Sequence, residues 1–341
     1  MSEWKVLARS QQIRWKRTTS LLPPEAREQG TYFIVQETPM GQRIHTEKGP
    51  FPYCLPRRFA AHNLLPSIRG EALRRMHRFG IAWHAATPGA GARGDSGPAT
   101  HLLDSQVQCI NTLLSLESEP RLLLDRLRTV EPDARESVAV HDPETRELEG
   151  LVAFEWIGDN NYLDERVRGK RKRGSKTTSA DALVVLERND GGRTGVLIEW
   201  KFTESYHAGV PYISERNTDR REIYRPRYDA VTTPFIPDRP LIDAYFHEPH
   251  YQLLRLSLLA EAMREAGEHG VDRMVLLDIA PAVNRSLMTC VPDALKSFGR
   301  TVDEVWRTLL PGPRVRFVWQ DSTPWVTATP ELAERYGELF A

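Results

Sequence analysis

The chain has no net charge to advertise a polyanionic partner, since 46 Lys and Arg balance 46 Asp and Glu in 341 residues. A global basic field is excluded, and any nucleic-acid contact must come from local segregation of charge. Cysteine is scarce. Cys54, Cys109 and Cys290 stand far apart with no CxxC spacing, which argues against a zinc site or disulfide framework and for a reducing compartment. No apolar run approaches the length of a membrane span, and Met1-Ser2-Glu3-Trp4-Lys5 carries no secretory hydrophobic region. A cytoplasmic protein that touches no membrane is expected. The glycines of 87–98 lack phosphate-loop spacing and no lysine closes them, which speaks against nucleotide binding there. With 40% hydrophobic and 27% charged residues, the composition suits a globular chain able to bury one large core or two modest ones.

What is present concentrates near the middle. Asp181 heads an apolar run, Ala182-Leu183-Val184-Val185-Leu186, which reads as a buried strand. A turn follows at 189–192. Eighteen residues after Asp181, a second strand, Val196-Leu197-Ile198, ends in Glu199-Trp200-Lys201-Phe202. Side chains alternate along a strand, so Glu199 and Lys201 share one face while Ile198, Trp200 and Phe202 share the other.

Two acids on neighbouring strands are what a hard dication needs. Magnesium takes oxygen ligands, keeps several waters and is usually held by one or two carboxylates plus substrate phosphate oxygens. Asp181 and Glu199 supply that pair, with the carbonyl of Trp200 as a third ligand, and manganese is the alternative ion. Lys201 would hold or help deprotonate the attacking water and offset charge in the transition state. Taken singly, each of these residues reads more plainly as a solvated charge at a strand end. Together they favour chemistry, because facing acids need a cation. Glu155, in the strand 151–157, is a third candidate for metal or water, since an acid among apolar strand residues needs a partner.

These segments, together with the helix beginning Asp104-Ser105-Gln106-Val107 and with Phe154-Glu155-Trp156, resemble the PD-(D/E)XK nuclease superfamily, in particular a bacterial branch of restriction endonuclease-like proteins. The resemblance covers roughly 101–285. It implies an α/β fold with an αβββαβ core, a mixed central sheet flanked by helices, and elaborations at 1–100 and 286–341. Periodicity gives the same order of elements independently. The proline that names the motif is absent, Ala180 standing before Asp181. The resemblance implies a magnesium-dependent endonuclease acting on DNA in restriction or defence. It also implies a supporting role for Gln252, at a position that relatives place beside the metal, and a homodimer, although no signature of a symmetric interface is present. A protein that binds nucleic acid without cutting it, or a nuclease for RNA or structured DNA, is the alternative.

Between the first two core strands run Arg166, Arg168, Lys170, Arg171, Lys172, Arg173 and Lys176, seven bases in eleven residues with no acid. Directly before Asp181, they are expected to grip a phosphate backbone. Residues 206–248 show no convincing long element and interleave tyrosines with arginines, the ingredients of base stacking and phosphate contact. The helix 103–117 is expected to take Asp104 as N-cap, with Ser105, Gln106 and Asn111 partly exposed. A core crossover helix is expected from Pro249 to about Glu265, then a parallel strand at 274–279, a capping box at Thr301-Glu304, a strand at 315–319 and a last helix capped by Thr329.

Overall fold

Residues 1–123 and 322–341 fold together with the short segment 200–203 into one unit, while 124–199 and 204–321 form a second. The computed structural model describes residues 2–37, 43–91, 94–165, 171–174, 177–206, 209–214 and 218–339.

In the first unit, α1 (Glu3–Thr18) is N-capped by the Ser2 side chain and buries Trp4, Ala8 and Trp15. A hairpin, β1 (Gly30–Glu37) and β2 (Arg43–Phe51), pairs antiparallel. It is followed by α2 (Arg69–Arg78) and α3 (Ser105–Glu117). Asp104 caps α3 as expected, its Oδ1 accepting from Val107 N at 2.9 Å. The expected exposure of Gln106 and Asn111 is corrected, for both are buried. Each has found backbone partners that replace water. Gln106 accepts from His84 N and donates to Ala82 O, while Asn111 accepts from Leu65 N and donates to Asn63 O and Tyr336 Oη. Tyr336 lies on the last helix, Pro330–Tyr336, which Thr329 caps and Pro330 opens as expected.

Helix α4 (Pro120–Arg128) leads into the second unit. Its strands are β3 (Ala134–Val138), β4 (Val140–His141), β5 (Leu148–Gly150), β6 (Ala153–Trp156), β7 (Ala180–Arg188), β8 (Arg193–Trp200), β9 (Arg273–Ala280) and β10 (Val315–Asp321). Among them, the central sheet has the order β10-β9-β8-β7-β3, with β6 pairing β7 as well, and β4 and β5 pair apart from it. One edge of β7 is thus shared. Its residues 180–183 pair with β6 and 185–188 with β3, both antiparallel. The β9–β10 pair is parallel. One face of this mixed sheet presents Leu183, Val185, Leu197, Met274, Leu276 and Phe317 to a core shared with α5 (Arg220–Tyr228), α6 (His250–Ala266) and α8 (Val302–Leu309), while α7 (Arg285–Met288) is a single turn. Helix α5 fills part of the stretch read as lacking a long element. Its internal Pro226 and low apolar content hid it, yet Tyr224 and Tyr228 are buried in the core, and so serve packing. The capping box at Thr301 is formed.

Arg173 is 4% exposed. Its guanidinium forks onto Glu149 at 2.6 and 2.9 Å, reaches Asp142 at 3.1 Å and donates to Phe154 O. Truncating it would leave two buried carboxylates uncompensated. Arg173→Ala is expected to cost about 3–5 kcal/mol, read as a lower urea midpoint, and Arg173→Lys should recover only part because an ammonium has no planar fork.

His250, fully buried at the start of α6, has Nδ1 accepting from Trp306 Nε1 at 3.0 Å, so Nε2 donates to Cys290 O at 2.8 Å. Burial pushes its pKa down to about 4 from an ordinary 6.5. Between those values the unfolded chain binds the proton and the folded chain does not, so stability is lost as pH falls from about 6.5 towards 4. The loss attributable to this residue is about 3 kcal/mol. Denaturation midpoints across that window, together with His250 ring resonances that stay unshifted from pH 8 to 5, check it.

Candidate active site

The β7–β8 register decides where the acids stand. Ala182 faces Ile198 and Leu183 faces Leu197. One further step brings Asp181 opposite Glu199. Directly opposed residues of an antiparallel pair have Cβ atoms roughly 4.5–5.5 Å apart and share a face. That face is the one of Leu183 and Leu197, looking towards α6. On the other edge of β7, Phe154 faces Ala182 and Trp156 faces Ala180, so Glu155 is bracketed against Asp181.

β9 extends the row. Asp272 N donates to Arg193 O at 3.0 Å, and a Cβ built on Gly195 would stand 2.6 Å from Met274 Sδ, so β8 and β9 start side by side and run parallel. Within β9, the parity of Asp278 with Met274 and Leu276 turns it to the same core face. Three acids from β6, β7 and β8 therefore lie at one level of the sheet, and Asp278 on the neighbouring β9 adds a fourth to the same face. Glu155, Glu199 and Asp278 are buried at 2%, 1% and 5%, while Asp181 is partly open. Such a set cannot all be ionised without positive charge nearby, and its oxygen donors suit a hard cation. Asp278 was not singled out from the sequence. The signal was there, one acid inside an otherwise apolar strand.

Glu155 has φ of +50°, a left-handed conformation that a non-glycine residue adopts at a cost of roughly 1–2 kcal/mol. Ser179 Oγ donates to its Oε2 at 2.8 Å. The segment entering β7 is pinned as well. Glu165 accepts from Thr178 N at 2.7 Å, from Thr178 Oγ1 at 2.5 Å and from Tyr224 Oη at 2.8 Å. Burial, and then the Glu165 carboxylate, hold the Tyr224 phenol well above its usual range, so it remains a donor. From α6, Arg255 lies 4.8 Å over the Tyr251 ring with Nη1 3.5 Å from Thr178 Oγ1. Ser179, Glu165 and Arg255 are thus supports that sequence reading missed: Ser179 is two residues before Asp181 but its partner Glu155 comes from another strand, and no spacing links Glu165 or Arg255 to Asp181.

Gln252 sits in the first turn of α6, half-buried, its backbone N–H donating to Glu248 Oε2 at 3.2 Å. Trp200 closes β8 and Lys201 is the next residue, both buried in the first unit, where Trp200 Nε1 donates to Gln108 Oε1 at 3.0 Å. Of the basic run, Arg166, Arg168, Lys170 and Lys176 lie outside the described residues. Lys172 is exposed. Arg171 donates to the carbonyls of Ile157 and Gly158, and Arg173 is held inside by Glu149 and Asp142. For those two arginines the expectation of a backbone grip meets a physical obstacle, because their guanidinium groups already serve internal acceptors.

No curated protein and no solved structure matches the chain. Residues 11–337, nearly the whole of it, match one protein family, and with the mixed sheet and helices of a restriction endonuclease-like core already in place, the chain belongs to the family described as restriction endonuclease associating with ARP.

Proposed function

We propose that the protein is a magnesium-dependent endonuclease that hydrolyses phosphodiester bonds of DNA in a restriction or defence role. The observation that carries this reading is the cross-strand opposition of Asp181 and Glu199, with Glu155 at the same level of the sheet and Asp278 on the same face. In it, Asp181 and Glu199 hold the ion, with Glu155 and the Trp200 carbonyl as further ligands; manganese would fit the same oxygens. When bound, the ion supplies Lewis-acid stabilisation of charge building on the phosphoryl oxygens. Lys201, two residues after Glu199 in the chain, orients the attacking water and takes up its developing charge. Gln252, at the positive end of α6, helps to fix that water or a phosphate oxygen. Glu165 and Ser179 keep Asp181 and Glu155 in place. The exposed Lys172, with Arg166, Arg168, Lys170 and Lys176 of the same run, attracts the phosphate backbone.

Cleavage of plasmid DNA by the purified chain with magnesium tests the reading. Asp181→Asn, Glu199→Gln and Lys201→Ala are each expected to lower the rate at least roughly 100-fold while melting temperature and far-ultraviolet spectrum are kept. Tight DNA binding by the wild type with no cleavage in magnesium or manganese would favour the non-catalytic alternative instead, and cleavage confined to RNA or branched DNA would move the substrate. Binding should weaken steeply with salt, and Lys172→Gln should reduce the log–log salt slope by about one.

A further inference from the structure

Away from the acid row, the loop leaving β6 meets the turn that follows α6. Asp159, Glu268 and His269 there bring one potential ligand atom each to within 4.8 Å of one another, all in the second unit. Helix α6 ends on Gly267 in the left-handed conformation, and Glu268 and His269 follow in a single tight turn. His269 itself has φ of +53°, an unfavourable backbone for a residue with a Cβ. The turn thus spends backbone strain to aim an imidazole inwards, against the Trp156 ring at 5.3 Å.

The polar partners in this pocket are accounted for except at two atoms. Glu268 accepts from Trp156 Nε1 and from Asp159 N, each at 2.8 Å. Asp159 Oδ2 pairs with Arg146 Nη1 at 3.2 Å, and Arg193 Nη1 donates to His269 O at 2.9 Å. Asp159 Oδ1 and His269 Nε2, by contrast, are sealed from solvent and make no hydrogen bond. A buried carboxylate oxygen and a buried imidazole nitrogen without partners are rare unless something outside the protein satisfies them.

We propose that Asp159, Glu268 and His269 form a binding site for a divalent transition-metal ion, zinc or manganese, separate from the acid row. Ligands about 2.1 Å from a shared ion stand roughly 3–4 Å apart, and His269 Nε2 already lies 3.9 Å from Glu268 Oε1. One imidazole and two carboxylates suit zinc or manganese, with water completing the shell, whereas magnesium favours an all-oxygen set. Each ligand keeps capacity for the ion. Asp159 has Oδ1 open while Arg146 occupies Oδ2, and Glu268, which accepts from Trp156, from Asp159 N and from Tyr162, keeps one of its four lone pairs. The ion would tie the segment after β6, the strand of Glu155, to the end of α6. The proposal stands apart from the nuclease reading, and either can fail without the other.

Calorimetric titration of the full chain with zinc chloride tests it, in the wild type and in an Asp181→Asn/Glu199→Gln variant that disables the row. This site is expected in both, the variant separating it from any ion held by the row; it should be weakened at least tenfold by His269→Gln and by Asp159→Asn, and not displaced by millimolar magnesium. Cobalt(II) in the same site should give a visible absorption band that His269→Gln alters, which a purely structural histidine would not do. Zinc should also raise the melting temperature by roughly 5 °C. Should His269→Gln not fold, Asp159→Asn, whose Arg146 partner is largely exposed, decides the matter. Absence of zinc binding by the wild type, or a site that survives both substitutions and vanishes with Asp181 and Glu199, overturns the proposal.

Discussion

Everything at the centre of the second unit depends on the antiparallel register that sets Ala182 against Ile198. A slip by one residue would turn one strand's acid into the other face and put an apolar side chain in its place, because strand side chains alternate. The register is protected from both sides. Leu183, Val185 and Leu197 must reach the core under α6, and the turn at 189–192, closed by the Arg188 N to Gly192 O bond, fixes the connection length. Hydrophobic packing therefore places the charged groups.

The cost of this arrangement falls on the residues around it. Acids buried on adjacent strands repel one another, and Glu155 is held in a left-handed backbone by the pairs on either side of it. The surroundings answer with fixed hydrogen bonds: Ser179 onto Glu155, and Thr178 with Tyr224 onto Glu165. Rigid positioning of this kind belongs with sites whose geometry must be ready before the reactant arrives. The family of the chain and this preorganised acid level are consistent with each other on physical grounds.

Much of this was legible in the sequence, and the reason is periodicity. The strands around Asp181 and Glu199, the core helix after Pro249, the capping box at Thr301 and the caps at Asp104 and Thr329 all carry local signals that survive without tertiary context. Helix α5 did not, because its internal proline runs against helical propensity, its arginines leave little apolar periodicity, and its tyrosines are recruited by a core that sequence alone does not display. Asn111 and Gln106 were read as surface residues because a polar side chain gives no hint of the carbonyls waiting for it. Asp278 was missed for a related reason. Its part depends on the pairing of β8 with β9, which are joined by more than seventy residues of intervening chain. The basic run was read as one feature, yet Arg173 answers to Glu149 and Asp142, residues whose burial could only be seen once folded.

The division of the chain has a bearing on biosynthesis. The second unit draws only on residues up to 321, whereas the first needs 322–341 to join a segment begun at the other end of the sequence. During vectorial synthesis the acid level can assemble while the early helices still await their closing partner, Arg335, whose guanidinium holds Asn63 in a buried bond. A ribosome that stopped shortly after Asp321 would release a chain holding every strand of the sheet but lacking the Arg335 clasp on Asn63.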